Sequence, residues 1–212
     1  MNEFPDRNTS LELLAGHLKS EQMLIHSLSV EAVMTGFCRA LTPRISDSPE
    51  MWARTGLLHD IDYELTEKDS SRHALVGAEI LRSENYPQDI VNAVLAHNGH
   101  TEPDSMMAKA LIVADALSGL VYAGALMRPD RRASTMNVKS LKKKYKSKGF
   151  AAGANRQHIA LCEEWLDLTL ESAMEIAINS MGAVEESLGL ANADNLVTNS
   201  DSCPDAAADT SR

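Results

Sequence analysis

Aromatic side chains are scarce, 4% of 212 residues. No stretch alternates apolar and polar residues over a useful strand length. Sheets draw on β-branched and aromatic residues, whereas Ala, Leu, Met, Glu and Lys, frequent here, favour helices. The expected fold class is therefore all-α. Cysteine is also rare. Cys38, Cys162 and Cys203 form no CxxC pair, which excludes a disulfide framework and fits a reducing, cytoplasmic setting. Cys38 and Cys162 fall in apolar helical stretches and read as core. No apolar run approaches the roughly 20 residues that span a bilayer. The N-terminus has no basic region followed by an apolar one, so no secretory signal is expected. Neither a GxSxG turn nor a P-loop pattern occurs, which removes serine nucleophiles and Walker-type phosphate binding from consideration. No internal repeat is visible.

One absence is local. Residues 131–162 contain no Asp or Glu, although the chain carries a net charge of −10. The same stretch holds Arg131, Arg132, Lys139, Lys142, Lys143, Lys144, Lys146, Lys148 and Arg156, nine of the 20 basic residues. The rest of the chain is correspondingly more acidic. An acidic body argues against general nucleic-acid or membrane binding. One basic stretch argues for a local anion.

Apolar residues recurring at helical spacing predict one domain over 10–188, between a flexible N-terminus (1–9) and a disordered tail (189–212). A first helix is expected from about 10, capped by Thr9 or Ser10, and a second over 20–41. Ser48-Pro49-Glu50 opens a third that ends near His59-Asp60. Ser70 or Ser71 caps a fourth, with His73 in its first turn. Tyr86-Pro87 starts a fifth that leads to His97. Asp104 caps a long sixth to Met127, with Asp115 inside it. Asn137 and Asn155 begin two further helices, and a last one covers about 167–188.

What is present centres on Gly56-Leu57-Leu58-His59-Asp60-Ile61-Asp62-Tyr63-Glu64. An imidazole and a carboxylate stand side by side after an apolar helical run. Imidazole suits Zn, Fe and Ni, and carboxylate suits Mg and Mn. The carbonyls at a helix C-terminus add partial negative charge that favours a cation. His26, His73, His97 and Asp115 are the candidate partners. A lone histidine on an apolar face is ordinarily core. Asp115, within Leu111-Ile112-Val113-Ala114-Asp115-Ala116-Leu117, is harder to place, because a buried carboxylate without a partner is costly. A metal, an arginine or a helix N-terminus could satisfy it.

The order His26, His59-Asp60, Asp115 resembles the HD-domain superfamily of metal-dependent phosphohydrolases. His73 followed by Gly77-Ala78-Glu79-Ile80-Leu81 resembles the third element of its two-metal members, and His97 in Ala93-Val94-Leu95-Ala96-His97 the fourth. The resemblance covers residues 20–127. It implies a compact helical bundle with additional C-terminal helices over 128–188. It also implies metal ligation by His26, His59, Asp60, His73, His97 and Asp115, with Asp60 bridging two ions. His97-Asn98 departs from members with adjacent histidines and a third metal. The Gly-Tyr-Pro signature of cyclic-dinucleotide members is missing.

The resemblance implies one or two divalent ions (Mn, Fe, Co, Ni, Zn or Mg). A divalent ion lowers the pKa of bound water from ~15.7 to about 7, which supplies a hydroxide nucleophile. Asp60, Asp62, Glu64 and His100 are the expected catalytic set. Lys142, Lys143, Lys146 and Arg156 are the expected phosphate-binding set, and Gly149 and Gly153 would let backbone N–H groups approach an anion. The expected substrate is a phosphoester in a small anionic metabolite, for example a nucleotide, with no membrane and no nucleic-acid polymer as partner. Two alternatives remain: a di-iron oxygenase, as in inositol oxygenase-like and phosphonate-cleaving relatives, and a non-catalytic metal-binding sensor or scaffold.

Overall fold

Side-chain caps set most of the helix starts. In the structure, a computed structural model that describes residues 4–45, 47–67 and 69–191, the Asp6 carboxylate accepts the Thr9 N–H and opens α1 (Arg7–His17). Ser20 opens α2 (Glu21–Leu41), and Ser48 with Pro49 opens α3 (Pro49–Leu58). α4 (Leu75–Ser83) and α5 (Gln88–His97) follow without side-chain caps. Ser105 caps α6 (Met106–Leu126), Asn137 caps α7 (Val138–Lys146), Asn155 caps α8 (Arg156–Leu166) and Thr169 caps α9 (Leu170–Gly182). No strand occurs among the described residues. The chain is all-α, as expected.

Several boundaries differ from expectation. α1 starts at Arg7, because Asp6 rather than Thr9 or Ser10 satisfies the first free amides. Residues 7–9 therefore belong to a helix. α4 starts at Leu75 and leaves His73 in the preceding turn. There the Asp69 carboxylate accepts the Ser71 N–H and hydroxyl, and Ala74 takes a left-handed φ of 67°. Ser105, not Asp104, caps α6. The last helix ends at Gly182. Turns carry the chain on to Leu188 and Leu190, which are fully buried, and the Ala191 N–H donates to the Arg131 carbonyl. Residues 189–191 are thus packed. Positions 192–212 of the expected tail, Cys203 among them, lie outside the described residues, as do 1–3. Cys38 and Cys162 are free and buried.

α6 is the spine of the bundle. It packs against α2, α5, α8 and α9, with α3 and α7 also touching it. Its 21 residues are long and apolar enough to cross a membrane, which corrects the expectation that no run approaches that length. Packing on every side explains the composition, since 67% of its most apolar stretch is buried inside the protein.

α2 and α3 approach closely at Gly56. A Cβ there would stand 2.8 Å from the Val30 carbonyl oxygen and 2.9 Å from the Glu31 nitrogen. This contact places His26, one turn before Val30 on α2, next to the end of α3. Trp52, Phe37, Met34, Leu57 and Leu58 are fully buried around it.

Candidate metal centre

Six side chains from five parts of the chain meet in one place. His26 comes from α2, His59 ends α3, and Asp60 follows it in a turn. His73 comes from the turn before α4, His97 is the last residue of α5, and Asp115 sits mid-way along α6.

Asp60 divides them into two sets. Its Oδ2 lies 3.5 Å from His26 Nε2 and 3.3 Å from His59 Nε2. Asp115 Oδ1 closes this set at 3.1 Å from His26 Nε2. The other oxygen, Oδ1, lies 3.1 Å from His73 Nε2 and 3.4 Å from His97 Nε2. In each of the sets His26, His59, Asp115 and Asp60, His73, His97, the candidate ligand atoms all lie within 4.8 Å of one another.

Hydrogen bonds on the outer nitrogens show where the rings carry a proton. His59 Nδ1 is 2.9 Å from the Gly56 carbonyl, and His97 Nδ1 faces the Val94 carbonyl. His73 Nδ1 is 2.8 Å from Asp62 Oδ1. Carbonyl and carboxylate oxygens only accept, so each Nδ1 carries the proton. The Nε2 lone pairs then point inward, where His73 and His97 stand 3.1 Å apart and His26 and His59 3.3 Å apart. Lone pairs and carboxylates facing one another at such distances repel unless a positive charge lies between them. Protons or divalent cations meet that need, and the donor set of imidazoles and carboxylates fits divalent metals.

Without a cation the cluster attracts protons. Burial pulls the His59 imidazole down, but the Asp60 charge, helped by Asp115, outweighs it and lifts the ring to about 9. Burial likewise opposes charging of His73, and its bonds to Asp60 and Asp62 override this and raise it to about 9. Asp60 feels burial in the opposite sense, yet the adjacent His59 holds it well below the ordinary carboxylate range. Asp115 is lowered too, against burial, by His26.

A cavity of about 750 Å³ opens over the cluster. His26, Asp60, His73, His97 and Asp115 form its floor. The Asp115 side chain is 34% exposed, because it faces this cavity and not the aliphatic packing its neighbours suggest.

The other expected site residues fall elsewhere. Asp62 is fully buried and bonded to His73 and to the Gly77 N–H, so it faces no water. Glu64 accepts the Lys19 and Ser20 N–H groups at 2.9 and 2.7 Å and joins the start of α2 to the loop. His100 Nε2 lies 2.7 Å from the His73 carbonyl and stays outside the cavity lining. Lys142 pairs with Glu171, and neither it nor Lys143 nor Lys146 lines the cavity. The Arg156 guanidinium donates to the carbonyls of Phe150, Ala151 and Ala154. It thereby fixes the small-residue loop, and Ala151, Gly153 and Ala154 do form part of the cavity wall. His158, Tyr122 and Gln22 also line the cavity and were not singled out in the sequence. Only the loop before Asn155 pointed toward His158.

The family model described as HD domain matches residues 23–120. Those residues are an HD domain. All six inward-facing side chains lie inside it, and the family is one of metal-dependent phosphohydrolases. Among curated proteins, the chain is 34% identical over 120 residues to ribonuclease Y of a Sulfurovum species, covering 54% of this chain and 23% of that protein. It is 40% identical over 110 residues to ribonuclease Y of a Nitratiruptor species, covering 50% and 20%. Ribonuclease Y of Thermotoga petrophila is 30% identical over 159 residues, covering 68% and 29%. The chain thus spans between a fifth and a third of the length of these relatives. No solved structure matches it.

Proposed function

We propose that this chain hydrolyses a phosphoester in a small phosphorylated molecule with the help of one or two divalent cations. One observation carries the reading: Asp60 presents one oxygen to each of two His/Asp sets. His26, His59, Asp115 and Asp60 Oδ2 would hold one cation, and His73, His97 and Asp60 Oδ1 the other. When bound, such cations supply Lewis acidity, and a pair also clamps the attacking and leaving oxygens of an in-line displacement. The protein's own part is positioning, which is most of what phosphoryl transfer requires.

The cavity supports a small substrate. Its volume of about 750 Å³ falls within the range of small-molecule sites. No Lys or Arg lines it among the described residues. A single phosphoryl group at the metal end therefore has its charge met there. Met23, Ile25, Tyr122, Ala123 and Leu126 offer the remaining body an apolar wall, and Gln22, Asn155 and His158 offer it hydrogen bonds. A nucleoside monophosphate has this shape and charge. The metal identity stays within Mn, Fe, Co, Ni, Zn and Mg, and the cysteine usage supports a cytoplasmic location.

The ribonuclease relatives favour a second reading, cleavage of a phosphodiester in RNA, against the expectation that no nucleic-acid polymer is bound. The net charge of −10 weighs against a long polyanion.

The test combines elemental analysis of protein purified without chelator with phosphate release from nucleoside monophosphates and cleavage of a single-stranded oligoribonucleotide. The expected result is bound divalent metal and turnover of monoesters, both lost in Asp60→Ala while helix content stays near wild type. Oligonucleotide cleavage without monoester turnover would transfer the reading to RNA. Iron content with oxygen consumption would transfer it to the oxygenase class. Metal content unchanged by Asp60→Ala would remove it.

A further inference from the structure

Of the four imidazoles in the cluster, His73 is the one that no helix carries. His26 lies within α2, His59 caps α3 and His97 ends α5, whereas His73 sits in the turn over 70–74 beside the left-handed Ala74. His59 and His97 anchor their outer nitrogens on carbonyls three residues back in their own helices. His73 has no such carbonyl at its Nδ1 and is bonded there to Asp62 at 2.8 Å.

Asp62 is itself held tightly. Its side chain is fully buried, and its second oxygen accepts the Gly77 N–H at 2.8 Å in the first turn of α4. Gly77 leaves room for it, since a Cβ there would stand 3.2 Å from Asp62 Cγ and 3.4 Å from its Oδ1. The carboxylate is thus wedged between the start of α4 and the His73 ring. A carboxylate on the outer nitrogen fixes the tautomer of a ligating histidine and raises its basicity.

The two sets differ in how much they need this support. Around Asp60 Oδ2 stand His26, His59 and Asp115, and around Oδ1 only His73 and His97. The smaller set depends more heavily on each ligand. We propose that Asp62 is the positioning residue that makes this a two-cation protein: it holds His73 with its lone pair inward, so the second cation binds tightly only while Asp62 does so. The proposal rests on the two-cation reading above.

Asparagine at position 62 has nearly the same shape but one acceptor oxygen. If that oxygen stays on the Gly77 N–H, the amide N–H faces His73 Nδ1, which must then accept. The His73 proton moves to Nε2, and that nitrogen can no longer ligate. The experiment loads wild type, Asp62→Asn and His73→Ala with Mn²⁺ and counts ions per chain by elemental analysis. Electron paramagnetic resonance distinguishes a coupled pair from an isolated ion, and circular dichroism confirms folding. Wild type is expected to bind two coupled ions. Asp62→Asn and His73→Ala should each bind one isolated ion, with second-site affinity about 10–100-fold weaker in Asp62→Asn. Gly77→Ala, which displaces Asp62 without removing its charge, serves as a second variant and should weaken the same site. Two coupled ions of unchanged affinity in Asp62→Asn, or in Gly77→Ala if the first variant does not fold, would overturn the positioning role. Fewer than two ions in wild type would instead overturn the two-cation reading, and this inference with it.

Discussion

Three of the four imidazoles in the cluster, His59, His73 and His97, are set by an oxygen partner on the far nitrogen. This bears on protons as well as geometry. His59 and His73 sit at about 9 in the metal-free protein, and a ligating imidazole must be neutral. Metal binding near pH 7 should therefore release roughly two protons. Calorimetry in buffers of different ionisation enthalpy would register them, and release should vanish above about pH 10, where both rings are already neutral. A buffer-independent heat at pH 7 would count against inward-facing, charged rings. Asp115 in an aliphatic helix and His59-Asp60 at a helix end were legible in the sequence because they are chemically unusual where they stand, whereas the ligand roles of His26, His73 and His97 were legible through the family resemblance. Asp62, Glu64 and His100 were misread for a common reason. The sequence shows proximity to the motif but not the partner: Asp62 is taken up by His73 and the Gly77 N–H, Glu64 by the Lys19 and Ser20 N–H groups, and His100 by the His73 carbonyl. His158 escaped notice because only the fold brings α8 to the cavity.

Helix starts were legible wherever Ser, Thr, Asn or Asp supplies the cap, to within a few residues. α4 was not, because its entry uses an Asp69 turn and a left-handed alanine in place of a capping side chain. The crossing of α2 and α3 gives the clearest test at this scale. Gly56→Ala would gain about 1 kcal/mol in helix propensity. It would also press a methyl group to within 2.8 Å of the Val30 carbonyl, which is backbone and cannot rotate away. Overpacking of this kind costs about 1–3 kcal/mol, occasionally more. The contact should win, because its neighbour is backbone, with a net loss of up to about 2 kcal/mol in urea unfolding. Metal affinity should fall in parallel, because the same crossing sets the distance from His26 to His59. A stabilised variant would mean that α2 and α3 separate without cost.

The whole molecule ties its stability to its charge state. With raised pKa values, His59 and His73 stabilise the metal-free fold fully below about pH 6.5, and that contribution is lost as pH rises through about 9. Divalent metal should reverse the trend, since it binds the folded state and replaces the protons. At a hundredfold excess over its dissociation constant it adds about 2.7 kcal/mol. Thermal melts from pH 6 to 9.5 should fall without metal and stay flat or rise with it. Parallel curves would show that the cluster is uncoupled from folding. The all-α class and the HD resemblance were legible at this scale from composition and motif order. The position of the basic stretch was not. Its lysines lie outside the cavity wall, while the loop that follows them forms part of it. The Arg156 guanidinium ties that loop to α8, holding three of its carbonyls from the first residue of the helix. Rim and helix are thereby joined, so the loop should hold or lose its order together with the first turn of α8. Deuterium uptake at the Phe150 and Ala154 amides should then keep pace with α8 in the intact protein and run ahead of it once Arg156 is replaced by leucine.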